Sequence, residues 1–402
     1  MASLTFPRRR ALRLALWPLL LLNAAGCFKT QDTEITGAGD PLFTLTGRVS
    51  DIDSNRPLRD ALVEIKALNL KSQVDSNGVY SFSGLKVGTR TLQVSAANYA
   101  TAQIAVTFQY EDRDVVQDVA LTKALGIAWR GDVPFANPSG IWWENNQLFM
   151  TNYDTKGGFM YRLDENLRVL QVSPHLGTLF HDTCFYRIRT CFWKDSICYE
   201  RIDPIDPFRP DSITLDSVFV DCSQRLYGVV RIGDHIYTSD GIGAFWTLEF
   251  PPPDPFKSVR APRFFRLDPQ SLEVLDVRAV RDTLDIEVLS LITDLAWDGQ
   301  VLWLTNMFKN SLPKFRFDSL TALAVYPSPA SKPVGAAWDG KYLWISAANR
   351  LLQLHHDARI RNRYILPGEA LDQIAWDGTN MWAINTSFKQ ILKLTIPLKD
   401  HL

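Results

Sequence analysis

Oxygen-bearing side chains recur at one register of this chain. Asn152, Asp240, Asn306 and Asn385 each stand twelve positions after the start of a repeated segment, and a fifth copy has Ala347 there. Amide and carboxylate oxygens suit hard cations and polar ligands, so these four, with Asp294 and Asp372 beside the copy starts, form a candidate ligand-binding set. Ca2+ is the one cofactor such a ring admits, and nothing else in the sequence calls for a metal or cofactor. Asn and Asp also cap tight turns by bonding their own backbone, so spacing alone does not separate a site from a set of turns.

Other chemistry is sparse. The chain has no GxSxG, HExxH or glycine-rich phosphate loop, so no catalytic residue is assigned. His175, His181, His235 and the His355-His356 pair fall outside the repeat-equivalent inner positions and read as packed or solvated side chains. Cys184, Cys191, Cys198 and Cys222 match no zinc spacing, and their three possible pairings cannot be told apart by sequence. They are candidate disulfides if the chain is exported.

Export is what the first 27 residues suggest, because four arginines precede an apolar run ending near Leu22, followed by Ala24-Ala25-Gly26-Cys27. That run is too short to span a bilayer. The small residues before the cysteine resemble the lipobox of bacterial lipoproteins, which implies acylation of Cys27 and anchoring in a membrane, the outer membrane or cell surface before the inner one. An ordinary cleaved signal is the alternative. The chain carries a net charge of −1, and removing the four signal arginines leaves the remainder at −5. Such a balance argues against a nucleic-acid partner.

Elements that would position these groups come in two styles. Residues 28–42 are polar and aperiodic, a flexible tether. From 43 to 122 apolar and polar residues alternate, as in Leu62-Val63-Glu64-Ile65 and Val79-Tyr80-Ser81-Phe82, with turn signals such as Asn77-Gly78 between the runs. Asp51-Ile52-Asp53-Ser54-Asn55 begins like a calcium loop, but Arg56 stands where glycine is needed, so it reads as a polar turn. The strands from Gly47-Arg48-Val49 to Gly88-Thr89-Arg90-Thr91-Leu92-Gln93-Val94 resemble the carboxypeptidase regulatory-like domain. That resemblance implies a transthyretin-like seven-stranded sandwich without catalysis of its own, with Asn98 replacing a left-handed glycine.

Beyond residue 123 the chain repeats itself. Asp294-Leu295-Ala296-Trp297-Asp298-Gly299-Gln300-Val301-Leu302-Trp303 has close copies from Gly335 and Gln373 and weaker ones from Gly140 and Gly228. Each copy is a hairpin, two further strands follow, and four strands in about 40 residues make one propeller blade. The 88-residue gap between Gly140 and Gly228 predicts one more, degenerate blade near Cys184. An orphan strand at Ala124–Arg130 would complete the last blade, which has only three strands of its own. This pattern resembles NHL-type six-bladed propellers.

The expected fold is therefore all-β: a small sandwich (43–122), then a six-bladed propeller (123–402) whose last blade borrows its outer strand from the N-terminal side. The expected function is that of a membrane-anchored, extracytoplasmic lipoprotein with a non-enzymatic binding or scaffold role, its propeller face meeting a protein or glycan. Long loops on a rigid scaffold favour that face, and Pro251–Phe256 is one such loop. The alternative is a cation-dependent, lactonase-like or lyase-like propeller enzyme using Asn152, Asp240, Asn306 and Asn385.

Overall fold

The computed structural model describes residues 42–402 except 111–113, 154–157, 177–184, 193–196, 204–214, 222–225, 241–245, 248–256, 259–262, 280–291 and 398–402. Within 185–221, and in the short strands at 246–247 and 257–258, the description is of the backbone alone. The signal segment, the tether up to Pro41, Cys27, Cys184, Cys222, His181 and the Pro251–Phe256 loop lie outside the described residues.

Alternation of apolar and polar residues produces two facing sheets in the first domain. β1 (Phe43–Asp51), β4 (Val79–Leu85), β7 (Asp114–Val116) and β8 (Val119–Leu121) form one. β2 (Leu62–Ile65), β3 (Leu70–Gln73), β5 (Gly88–Ser95) and β6 (Ala102–Phe108) form the other. β7 and β8 both run parallel to β1 and act as one interrupted strand, so the sandwich has the seven-stranded plan. Phe43, Leu45, Tyr80, Leu92, Val94 and Phe108 fill the space between the sheets. Asn98 does adopt the left-handed conformation that its resemblance required, at φ 66°.

Among the described residues beyond the first domain, five four-stranded sheets form a ring. Blade 1 comprises Pro138–Glu144, Gln147–Asn152, Met160–Asp164 and Val169–Val172; blade 2 comprises Tyr227–Ile232, His235–Ser239, Arg263–Leu267 and Val274–Ala279. Blade 3 comprises Ile292–Trp297, Leu302–Asn306, Ser311–Arg316 and Thr321–Pro327; blade 4 comprises Gly335–Trp338, Leu343–Ala347, Arg350–Leu354 and Ile360–Ile365. Blade 5 comprises Ile374–Trp376, Met381–Asn385, Gln390–Thr395 and, as outer strand, β10 (Gly126–Asp132). β10 runs antiparallel to the last strand, with Ile127 opposite Leu394 and Arg130 opposite Leu392. The strand after the sandwich therefore closes the ring and covers what would be an open edge.

The count differs from the six blades that repeat arithmetic predicts. Each boundary between neighbouring sheets has its own apolar cluster, and Phe149 and Met160 of blade 1 pack directly with Val229 and Phe265 of blade 2. Trp382 and Ile384 of blade 5 pack likewise with Ile141 and Met150 of blade 1. Residues 185–221, expected as a blade, form instead a three-stranded sheet with Phe185–Phe192 in the middle, flanked by Ile197–Asp203 and Leu215–Asp221. It is an insertion between blades 1 and 2.

The conspicuous repeat has a local cause. In each of the last three blades the aspartate of Asp-Gly turns its Oδ1 onto two backbone N–H groups of its own turn: Gln300 and Val301 onto Asp298, Lys341 and Tyr342 onto Asp339, Thr379 and Asn380 onto Asp377. Its Oδ2 accepts the indole N–H of the tryptophan five residues on, at 3.0 Å for Trp303, 2.7 Å for Trp344 and 2.9 Å for Trp382. The three indoles are buried at blade boundaries, so the motif solves at once the turn and the polar edge of a large buried ring.

Candidate functional site

Five positions, one per blade, face each other across the propeller axis where the copies begin: Gly140, Gly228, Asp294, Gly335 and Gln373. Three are glycines because the strands approach closely: a Cβ on Gly140 would meet the backbone of Gly228, one on Gly228 the Cα of Asp294, and one on Gly335 the carbonyl of Asp372. Asp294 and Gln373 carry the two side chains at these positions. Asp294 is fully buried; its Oδ1 accepts from its neighbour Leu295 N (2.9 Å), and its Oδ2 from Ala336 N of blade 4 (2.9 Å) and Ile374 N of blade 5 (3.4 Å). Burial pushes its carboxyl well above the usual carboxylate range, against the pull of those donors. Gln373 reaches from blade 5 to the Thr293 carbonyl of blade 3. The axis is thus plugged by a polar crosslink among three blades.

Asn152, Asp240, Asn306 and Asn385 stand at the ends of the second strands, and Asp372 just before the first strand of blade 5. Asn152 Oδ1 accepts from Phe159 N at 2.8 Å. Asp240 accepts from Arg263 N and Arg263 Nε, at 2.7 and 2.8 Å. Asn306 Oδ1 accepts from Phe308 N and Lys309 N, and Asn385 Oδ1 from Phe388 N, while Asn385 Nδ2 donates to Glu369. Asp372 Oδ2 accepts from Thr386 N and Oγ1. Asn306 and Asn385 thus cap the turns that follow them, whereas Asn152 and Asp372 bond farther along the chain and Asp240 forms a buried ion pair with Arg263. Among the described residues no cluster of three or more His, Cys, Asp or Glu is placed to hold a metal ion. His175 lies edge-on against Phe159 and His355 against Tyr342, and His356 packs at a tilt against Trp338. Cys191 and Cys198 are directly opposed in register on neighbouring strands of the inserted sheet.

What the capped loops present went unremarked by sequence reasoning. Phe308 and Phe388 are 62% and 61% exposed, at equivalent tips two and three residues past Asn306 and Asn385, and each is followed by a lysine, Lys309 and Lys389. The tip between them, in blade 4, is shorter and carries Ala348 and Asn349. Phe-Lys after the repeat asparagine was the available signal. Because successive strands of a blade alternate in direction, the loops after second strands and the connections between blades emerge on one face. Both long insertions emerge there too: the inserted sheet joins blade 1 to blade 2, and a Trp246–Thr247/Lys257–Ser258 hairpin follows the second strand of blade 2. Strand Ile197–Asp203 of the inserted sheet meets that hairpin.

A second polar assembly joins the domains, and sequence reasoning missed it. Asp51 Oδ1 accepts from Asp53 N, Ser54 N and Ser54 Oγ, and its Oδ2 accepts from Tyr99 Oη (2.9 Å) and Lys123 Nζ (2.8 Å). Asp53 holds Arg363 of blade 4 through both its backbone N–H (2.7 Å) and its guanidinium (2.5 Å). Lys123 also reaches Asn362, which donates to Gln353. β9 (Lys123–Ala124) pairs in parallel with Ile360–Ile365 as a fifth strand on blade 4. Burial would raise the Asp51 carboxyl, but Lys123 and the Ser54 and Tyr99 donors bring it down to about 2. Burial outweighs Arg363 and raises that of Asp53. The supposed turn is the joint between the domains.

With this geometry in hand, the first domain has a name. Residues 44–122 match the carboxypeptidase regulatory-like domain. No curated protein matches the chain. Among solved structures, the Myxococcus xanthus glutaminyl cyclase is similar at 8% identity and a TM-score of 0.43, over 67% of this chain and 95% of that one. A Myceliophteria thermophila Cps50 β-propeller domain is similar at 13% identity and a TM-score of 0.32, over 68% and 99%. The carboxypeptidase regulatory-like domain here is bonded to the fourth blade of the propeller.

Proposed function

We propose that this chain is an exported lipoprotein, acylated at Cys27, whose propeller binds a protein or glycan without catalysis. The reading rests most on the paired tips: two phenylalanines held out to solvent on asparagine-capped loops, each beside a lysine, on the face where both insertions emerge. An exposed aromatic next to a cation offers apolar area with a polar rim, the make-up of recognition surfaces. The sandwich serves as a spacer. β1 starts at Phe43, next to the tether, and ends at Asp51 on the joint, so its nine residues hold the propeller about 26 Å from where the tether attaches. The bilayer is then a partner through the lipid alone.

The test uses the full chain on a glycan array and in site-specific photo-crosslinking at residue 309 in intact cells. The double substitution Phe308→Ala and Phe388→Ala should abolish the captured signal while leaving the melting curve in place. Retained binding would remove the face from consideration. Metabolic labelling with an alkynyl fatty acid should tag the wild type and not Cys27→Ser, and equal labelling of both would refute the anchor.

A further inference from the structure

The register of the inserted sheet narrows a pairing that spacing leaves open. Apart from Cys27 the chain has four cysteines, and two of them, Cys191 and Cys198, lie on described strands. Cys191 stands on the middle strand, Phe185–Phe192, and Cys198 on its neighbour, Ile197–Asp203. Their ladder runs without a shift from Tyr186 opposite Asp203 to Phe192 opposite Ile197, with Cys191 directly opposite Cys198. Opposed residues of an antiparallel pair have Cα atoms about 4.5 or 5.5 Å apart, according to whether they exchange hydrogen bonds. A disulfide takes about 4.4–6.8 Å between Cα atoms, so an opposed pair meets it in either case.

Register also removes the alternatives. Each of the other two pairing schemes joins Cys191 to Cys184 or to Cys222. Those two residues lie outside the described ones, but one peptide bond ties Cys184 to Phe185 and another ties Cys222 to Asp221. Phe185 and Asp221 are opposed to each other, at the end of the middle strand away from Cys191. Six residues along one strand separate Phe185 from Cys191, which amounts to about 20 Å. A peptide bond moves a Cα by only about 3.8 Å, so both cysteines stay about 15 Å or more from Cys191, beyond the reach of a disulfide.

We propose that Cys191 and Cys198 are joined by a disulfide that staples the inserted sheet where it emerges on the propeller face. The staple rests on the export proposed above, since a reducing cytosol keeps thiols apart. As the S–S bond forms, the two thiols lose two protons and two electrons, and a disulfide-bearing oxidant of the exported compartment takes them up and is reduced to two thiols. Stapled, the hairpin keeps its register without help from the apolar clusters of the ring. A surface element fixed before binding loses less entropy to its partner.

Peptide mapping of the full chain tests this, with free thiols alkylated before digestion and no reductant added. Trypsin places the four cysteines in four different peptides, so every pairing has its own mass. The chain isolated from cells should yield Thr190–Lys194 joined to Asp195–Arg201, and reduction should split that species in two. Cys191→Ser should leave Cys198 fully alkylated, and Cys198→Ser should do the same to Cys191. The wild type is also equilibrated in a buffer of reduced and oxidised glutathione, where the link should form whatever compartment the chain came from. Linkage in the buffer but not in cells would support the pairing and count against export instead. Alkylated Cys191 and Cys198 after that equilibration would overturn the inference, and so would either of them joined to Val169–Arg187 or Ile202–Arg225, the peptides that hold Cys184 and Cys222.

Discussion

Two enclosed aspartates answer burial in opposite ways. Asp51, at the joint between sandwich and propeller, has the Lys123 ammonium at 2.8 Å, and its carboxyl is held down to about 2. Asp294, on the propeller axis, has backbone N–H groups from three blades and no cation in those bonds, and its carboxyl is pushed up. Dipoles from a ring of strands thus do not replace a full charge once water is excluded. The joint is an ionic lock between domains, whereas the axis is a polar plug within one.

Substitutions can break that contrast. The largest effect is expected for Lys123→Met, which leaves Asp51 buried without its ammonium and should cost about 3–5 kcal/mol in chemical denaturation. A loss below about 1 kcal/mol would mean that water replaces the lysine freely. Asp294→Ala strands three backbone N–H groups at the axis, and about 2–4 kcal/mol should be lost. Melting followed against pH sharpens the contrast further. Asp51, depressed in the folded state, contributes stability above its ordinary 3.8 that is lost as pH falls toward about 2, so Lys123→Met should flatten the acid limb. Asp294, raised in the folded state, contributes fully below 3.8 and loses that contribution as pH rises through its folded-state value. Asp294→Asn should therefore remove a decline on the way to neutral pH, and an unchanged profile would contradict the assignment. Smallest is Trp303→Phe, which deletes the indole bond to Asp298 and leaves a small cavity where the larger ring was buried, and should cost about 1–3 kcal/mol.

Much of the fold was legible. Asp298-Gly299 with Trp303, and its two close copies, spell out a turn, an aspartate and an indole that bond to one another within six residues, so the signal is local and survives in one sequence. The orphan strand was legible because blade 5 lacked its outer strand, and β10 supplies it. The blade count was not, since an inserted sheet occupies the same length as a blade. One sign was present: Phe185–Phe192 carries Arg187 and Arg189 in mid-strand, whereas true inner strands such as Ile292–Trp297 are buried along nearly their whole length. The joint was hidden for a different reason. Asp53 and Arg363 are 310 positions apart, and nothing local in Asp51-Ile52-Asp53 distinguishes a solvated turn from half of an interface. The exposed phenylalanines were hidden because the repeat register marks Asn306 and Asn385, which position the tips, and not Phe308 and Phe388, which stand at different offsets from them.

Removal of the inserted sheet bears most directly on the architecture. Leu176 and Leu226 belong to one buried cluster between blades 1 and 2, so residues 179–223 can be replaced by a short Gly-Ser linker. A five-sheet ring predicts that this variant folds cooperatively with a melting midpoint close to that of the intact chain. Loss of the cooperative transition would show that the excised segment is a blade, and would contradict the account given for the ring.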